Sequence, residues 1–131
     1  MFHTWANAVL LPYVIEYNAQ KPSKFVSFPK YETFIADKKY AEIAKALDLP
    51  CSTTEEGVQS LIGAIRKLMK ELNMPMSIAE CNVEKKKFST KVSELADNAF
   101  EDQCTTANPR LPLVKELEQL YMKAYNGLDV K

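Results

Sequence analysis

Histidine is nearly absent from this chain: His3 is the only one in 131 residues. A lone imidazole supplies one ligand where zinc or iron takes three or four. It also leaves no second histidine to act as base for a cysteine nucleophile. Cysteine is scarce as well. Cys51, Cys81 and Cys104 are odd in number, widely spaced and without a C-x-x-C pair, which argues against a disulfide framework and a zinc knuckle and points to reduced thiols with no disulfide partner. Charge of one sign is missing: 17 lysines and arginines balance 17 aspartates and glutamates, so no net field gathers nucleic acid or anionic lipid. No apolar run approaches the ~20 residues that span a bilayer, and the N-terminus lacks the basic-then-apolar order of a signal peptide. These absences predict a cytoplasmic protein with no nucleic-acid or membrane partner. There is no G-x-G-x-x-G, P-loop or H-E-x-x-H.

What is present is helical periodicity. The 47% apolar composition is enough for one buried core, so residues 1–131 are expected to form a single all-helical domain. From Trp5 to Tyr17 the apolar residues Val9, Leu10, Tyr13, Val14 and Tyr17 recur at helical intervals, with Pro12 as the weak point where a proline removes a hydrogen bond. Residues 20–37 hold Pro22 and Pro29 without a sustained period, predicting an irregular connection packed by Phe25, Phe28, Tyr31 and Phe34. Tyr40, Ile43, Ala44 and Leu47 mark a short helix that stops before Pro50. In "STTEEGVQSLIGAIRKLMKELNMP", Thr53 and Glu56 form a T-x-x-E capping box. Val58, Leu61, Ile62, Ile65, Leu68, Met69 and Leu72 supply the buried stripe, and Asn73 and Pro75 end it.

A single turn is expected at Ser77–Glu80. Asn82 then caps a helix over Val83–Phe100, whose inner face carries Phe88, Val92, Leu95, Ala96 and Ala99 while Lys85, Lys86 and Lys87 face solvent. "EDQCTTANPR" reads as a loop, and a last helix follows over Pro112–Tyr125 with Gly127 as its stop. No strand-length alternation appears, so the class is all-α with about six helices.

Two features invite a chemical reading, each beside a plainer one. His3 and Asn7 lie one helical turn apart and share a face, so they either line a cleft or form an ordinary helix surface. Glu101, Asp102 and Cys104 are either an acid/base or thiol site or a capped, hydrogen-bonded loop.

Two stretches also carry a resemblance. "HTWANAVLLPYVIEYNA" and "AFEDQCTTANPRLPL", with "FPKYETFIADKKYAEIAKAL" and "NMPMSI" in order between them, resemble the C-terminal half of the iron-containing alcohol dehydrogenases. The resemblance is strongest to the alcohol dehydrogenase part of bacterial bifunctional aldehyde-alcohol dehydrogenases, and it runs from His3 to Gly127. It implies the later part of a C-terminal helical metal-binding domain, whose nucleotide-binding domain is absent here. It also implies hydride transfer between an alcohol and NAD, with Fe2+ or Zn2+ polarising the substrate oxygen.

The family holds its metal with one aspartate and three histidines, the last opening an H-G-x-A-N-A motif. His3, Ala6, Asn7 and Ala8 match that motif, so His3 is implied as a metal ligand; the other ligands have no counterpart. Thr4 stands where the family has glycine, and Trp5 where it has a smaller residue. Cys104 matches a loop cysteine near the nicotinamide and alcohol end of the cleft, and with Asn7 it is implied as lining the substrate pocket. In the same loop Thr106 is often glycine, Thr105 and Asn108 are expected to bond backbone, and Arg110 to pair locally. The expected outcome is a fragment without turnover or stably bound cofactor. Otherwise it is an interaction module whose uncovered apolar faces drive self-association or docking onto the rest of the enzyme.

Overall fold

The computed structural model describes residues 3–22 and 34–127, with side chains from Trp5 onward. Five α-helices appear in order: α1 (His3–Ala19), α2 (Ala36–Ala46), α3 (Thr54–Glu71), α4 (Lys85–Glu101) and α5 (Val114–Asn126). Two short 3-10 turns, Ala79–Cys81 and Gln103–Ala107, flank α4. The described residues contain no strand. The all-α expectation holds, with five α-helices in place of about six: the turn after α3 is too short to make another.

α1 is the central element, packed by α2, α3 and α5, while α2 pairs with α3 and α4 with α5. A helix enclosed on several sides needs no single apolar stripe. Beyond the expected Val9 and Tyr13, α1 also buries Pro12, Ile15 and Asn18. The helix runs continuously through Pro12, giving up the one hydrogen bond that a proline cannot donate.

Two apolar clusters fill the interior. Val9, Tyr13, Met69, Ile78, Phe88, Ala124 and Tyr125 form one; Ile15, Ala44, Val58, Leu61 and Ile62 form the other. Ile65 packs against both and joins them through α3. The Phe88 and Tyr125 rings stack at 4.8 Å, and the Tyr125 hydroxyl donates to the Val83 carbonyl at 2.8 Å, which ties α5 to the start of α4.

Local signals succeed where they depend on near neighbours. The Thr53 hydroxyl accepts from the Glu56 N–H at 3.1 Å, as the capping box requires. The Glu56 carboxylate reaches one residue further back than expected, accepting from the Ser52 N–H at 2.7 Å and its hydroxyl at 2.8 Å. Those bonds hold Glu56 below its ordinary carboxylate range. α5 closes at Gly127 with φ +92, a conformation that glycine adopts without steric cost.

Several expectations need correction. Asn82 does not cap α4. It sits in the left-handed region at φ 62, which the local bonding of an asparagine tolerates, and α4 starts at Lys85 after Glu84. On α2 the buried face is Ala36, Ala41 and Ala44, because small side chains let α2 lie close to α3. Gly57 of α3 is the contact: a Cβ there would stand 3.0 Å from the Ala41 Cα. Ile43 and Leu47 are consequently turned outward, as are Leu68 and Leu72 at the far end of α3. α5 starts two residues later than the expected Pro112. Phe25, Phe28 and Tyr31 lie outside the described residues, and Phe34 is half-buried.

Candidate functional site

The loop "EDQCTTANPR" is built in, with bonds at both ends. Asp102 ends α4 and accepts from the Cys104 N–H at 2.7 Å, starting the 3-10 turn Gln103–Ala107. The Thr105 hydroxyl donates back to the Ala99 carbonyl of α4. After the turn, Asn108 donates to the Arg110 carbonyl and to the Asn18 side-chain oxygen near the end of α1 at 2.8 Å. Asn18 is buried, and its amide nitrogen in turn donates to the Tyr40 hydroxyl of α2 at 3.3 Å.

Arg110 pairs locally, as expected, with Glu116 six residues on, and it also spans the fold. Its guanidinium lies 3.9 Å above the Tyr17 ring. It donates to the Tyr17 carbonyl at 2.9 Å, the Gln20 side chain at 3.3 Å and the Glu116 carboxylate at 3.2 Å. Glu116 also accepts from the Tyr17 hydroxyl at 2.8 Å and the Leu113 N–H at 2.7 Å, so one carboxylate closes the ion pair and caps α5. A buried guanidinium is tolerable because it is paired and bonded. Burial, and then the bond to Glu116, push the Tyr17 phenol well above its ordinary range against the opposing pull of Arg110.

Between α1, this loop and α5 lies a cavity of about 250 Å³. Its wall is mostly apolar, from Val14, Pro112, Leu117 and Leu120, with Cys104, Asn18 and Asn108 among its few polar members. A bond to the Asp102 carboxylate, and that carboxylate's charge, hold the Cys104 thiol above the ordinary cysteine range. All three cysteines are free thiols.

The site residues read from the sequence are thus distributed. Cys104 lies on the cavity wall. Asn7 is an exposed residue of α1 and is not part of that wall; the His3 side chain is outside the described residues. Among the described residues no three histidine, cysteine, aspartate or glutamate side chains gather as a metal-binding group. That donor set does not fit a complete metal centre. Sequence reasoning missed the Asn18–Asn108 and Tyr17–Arg110 links, since no spacing rule connects residues some 90 positions apart.

The comparisons with known proteins agree with this architecture. Residues 1–125 match the Fe-containing alcohol dehydrogenase family, C-terminal. Over 125 residues the chain is 43% identical to the aldehyde-alcohol dehydrogenase of Streptococcus pneumoniae, covering 95% of this chain and 14% of that protein. It is 42% identical over 130 residues to the bifunctional aldehyde-alcohol dehydrogenase of Escherichia coli, covering 97% of this chain and 15% of the relative. With the NADPH-dependent butanol dehydrogenase of Clostridium saccharobutylicum the identity is 32% over 128 residues, covering 98% and 29% respectively. The chain therefore spans about one-seventh of the bifunctional relatives, and it belongs to the Fe-containing alcohol dehydrogenase family, as part of its C-terminal helical region.

Proposed function

We propose that this chain forms the C-terminal helical part of an alcohol dehydrogenase that exchanges hydride between an alcohol or aldehyde and NAD, and that it does not turn over alone. The observation carrying this reading is the "DQCTTANPR" loop, matched within the family region and folded so that Cys104 faces an apolar cavity between α1 and α5. In this reading His3 contributes one ligand to Fe2+ or Zn2+, while Cys104 borders the alcohol from the cavity wall. The remaining ligands and the nicotinamide site belong to the portion of the relatives that these residues do not match. The bound metal would supply Lewis acidity. This chain's part is to wall the substrate's alkyl end, with Val14, Leu117 and Leu120 excluding water. It folds as one domain, supported by Ile65 joining both clusters, and resides in the cytoplasm. In keeping with that location, no described helix is long and apolar enough to cross a membrane.

The test is metal content by plasma mass spectrometry after incubation with ferrous iron or zinc and desalting, with NADH oxidation by acetaldehyde followed in parallel. Less than stoichiometric metal and no NADH oxidation are expected. Sustained turnover by the purified chain would refute the reading of an incomplete site.

A second reading, a docking or self-associating module, is favoured by Leu47, Leu68 and Leu72, which are 58, 56 and 62% exposed. Light scattering should show a mass that climbs with concentration. A monomer at every concentration would remove self-association.

A further inference from the structure

We propose that Asn18 is a positioning residue for Cys104: through Asn108 it fixes the cysteine-bearing turn against α1 and so sets where the thiol sits on the cavity wall. This rests on the reading of that cavity as part of the substrate site, but its test does not. Asn18 is 4% exposed, and both ends of its amide are used in tertiary bonds. Its oxygen accepts from Asn108 at 2.8 Å and its nitrogen donates to Tyr40 at 3.3 Å.

The turn Gln103–Ala107 is anchored to α4 at its start by Asp102, which cannot by itself fix the turn against another helix. Arg110 ties the far end of the loop to Tyr17 of α1, and Asn18 supplies the α1 anchor nearer the cysteine, at the residue that immediately follows the turn. Asn18, Asn108 and Cys104 border the same cavity. A buried amide pair adds little net stability but is costly to half-break, so its lasting effect is on registration. Replacing both members with leucine, which has the same branched outline, removes the registration without stranding either amide, while the Tyr40 hydroxyl and the Arg110 carbonyl each lose one donor.

The chain's three free thiols provide the readout. Alkylation by iodoacetamide, followed peptide by peptide with mass spectrometry, reports Cys104 against Cys51 and Cys81 in one sample. In the Asn18→Leu/Asn108→Leu double variant the melting temperature should fall by only a few degrees, from the lost bonds to Tyr40 and the Arg110 carbonyl. Cys104 should react about threefold faster or more, because a turn released from α1 swings its thiol away from the cavity wall, and Cys51 and Cys81 should keep the parent rates. Asn18→Asp, which retains the acceptor for Asn108, should keep Cys104 near the parent rate. An unchanged Cys104 rate in the double variant would overturn the proposal. A rise of all three cysteines together would also overturn it, because that is the signature of general loosening. The separate metal and turnover measurements decide the alcohol dehydrogenase reading, so failure of one can be told from failure of the other.

Discussion

Glu116→Ala is the sharpest probe of the buried network. The carboxylate accepts from Arg110, from the Tyr17 hydroxyl and from the Leu113 N–H, so truncation leaves three donors to be satisfied some other way. The Arg110 side chain is only 9% exposed and cannot turn to water, whereas the Glu116 side chain is 22% exposed. Breaking a buried ion pair by removing one partner costs about 3–5 kcal/mol. The partial exposure of Glu116 lets water enter the vacated space, which places the expected loss near the low end, at about 3 kcal/mol. For a domain of this size that is about 10 °C in melting temperature. Urea unfolding followed by far-ultraviolet circular dichroism gives the number directly. Adding Arg110→Met should recover part of the loss, because the uncompensated charge is removed with its partner. A loss below about 1 kcal/mol for Glu116→Ala would show that the pair is solvated like a surface bridge, and the argument from burial would fail.

Other expectations follow from the same structure. Tyr17 has a raised pKa in the fold, so its contribution is complete below the unfolded phenol's value and is lost above about pH 10, where unfolding releases a phenol that ionises. Urea midpoints from pH 8 to pH 11 should fall on the alkaline side, and fall less in Tyr17→Phe. At Gly57 an added Cβ would stand 2.5 Å from the Cys51 sulfur and 3.0 Å from the Ala41 backbone, while at Gly63 it would meet nothing within 4 Å. Gly57→Ala should therefore destabilise, and Gly63→Ala should stabilise by about 1 kcal/mol, the ordinary helix gain; equal effects in thermal melts would contradict the packing of α2 on α3. Thr53→Ala should cost about 1 kcal/mol through loss of the α3 cap, read from the same urea titration.

The legible parts of the fold were those governed by neighbours one turn away. The α3 start at Thr53, the stop at Gly127 and the exposed lysines of α4 follow from capping, backbone freedom and solvation that operate within a few residues. The Asn82 cap failed for a related reason: the same local bonding that suits an asparagine to a cap also suits it to a left-handed turn. The α3 stripe held at Val58, Leu61, Ile62, Ile65 and Met69 but not at Leu68 and Leu72, because periodicity identifies apolar residues without saying which of them a neighbour covers. The close approach at Gly57 and Ala41 favoured alanines on α2 and left Ile43 and Leu47 outside, and Leu68 and Leu72 are exposed at the far end of α3.

For the candidate site, Cys104 could be singled out because its motif is contiguous. The cavity it borders could not, because its walls come from α1, the turn and α5.

The sequence by itself determined the class, the helix-forming segments and the family, since period, cap residues and contiguous motifs are properties of a strand of residues taken in order. Only the tertiary structure decided that Arg110 reaches Tyr17 and Glu116, and that Asn18 meets Asn108. Those bonds join residues brought together by burying apolar surface elsewhere, and a polar group closed off by that burial must take whatever partner the packing presents.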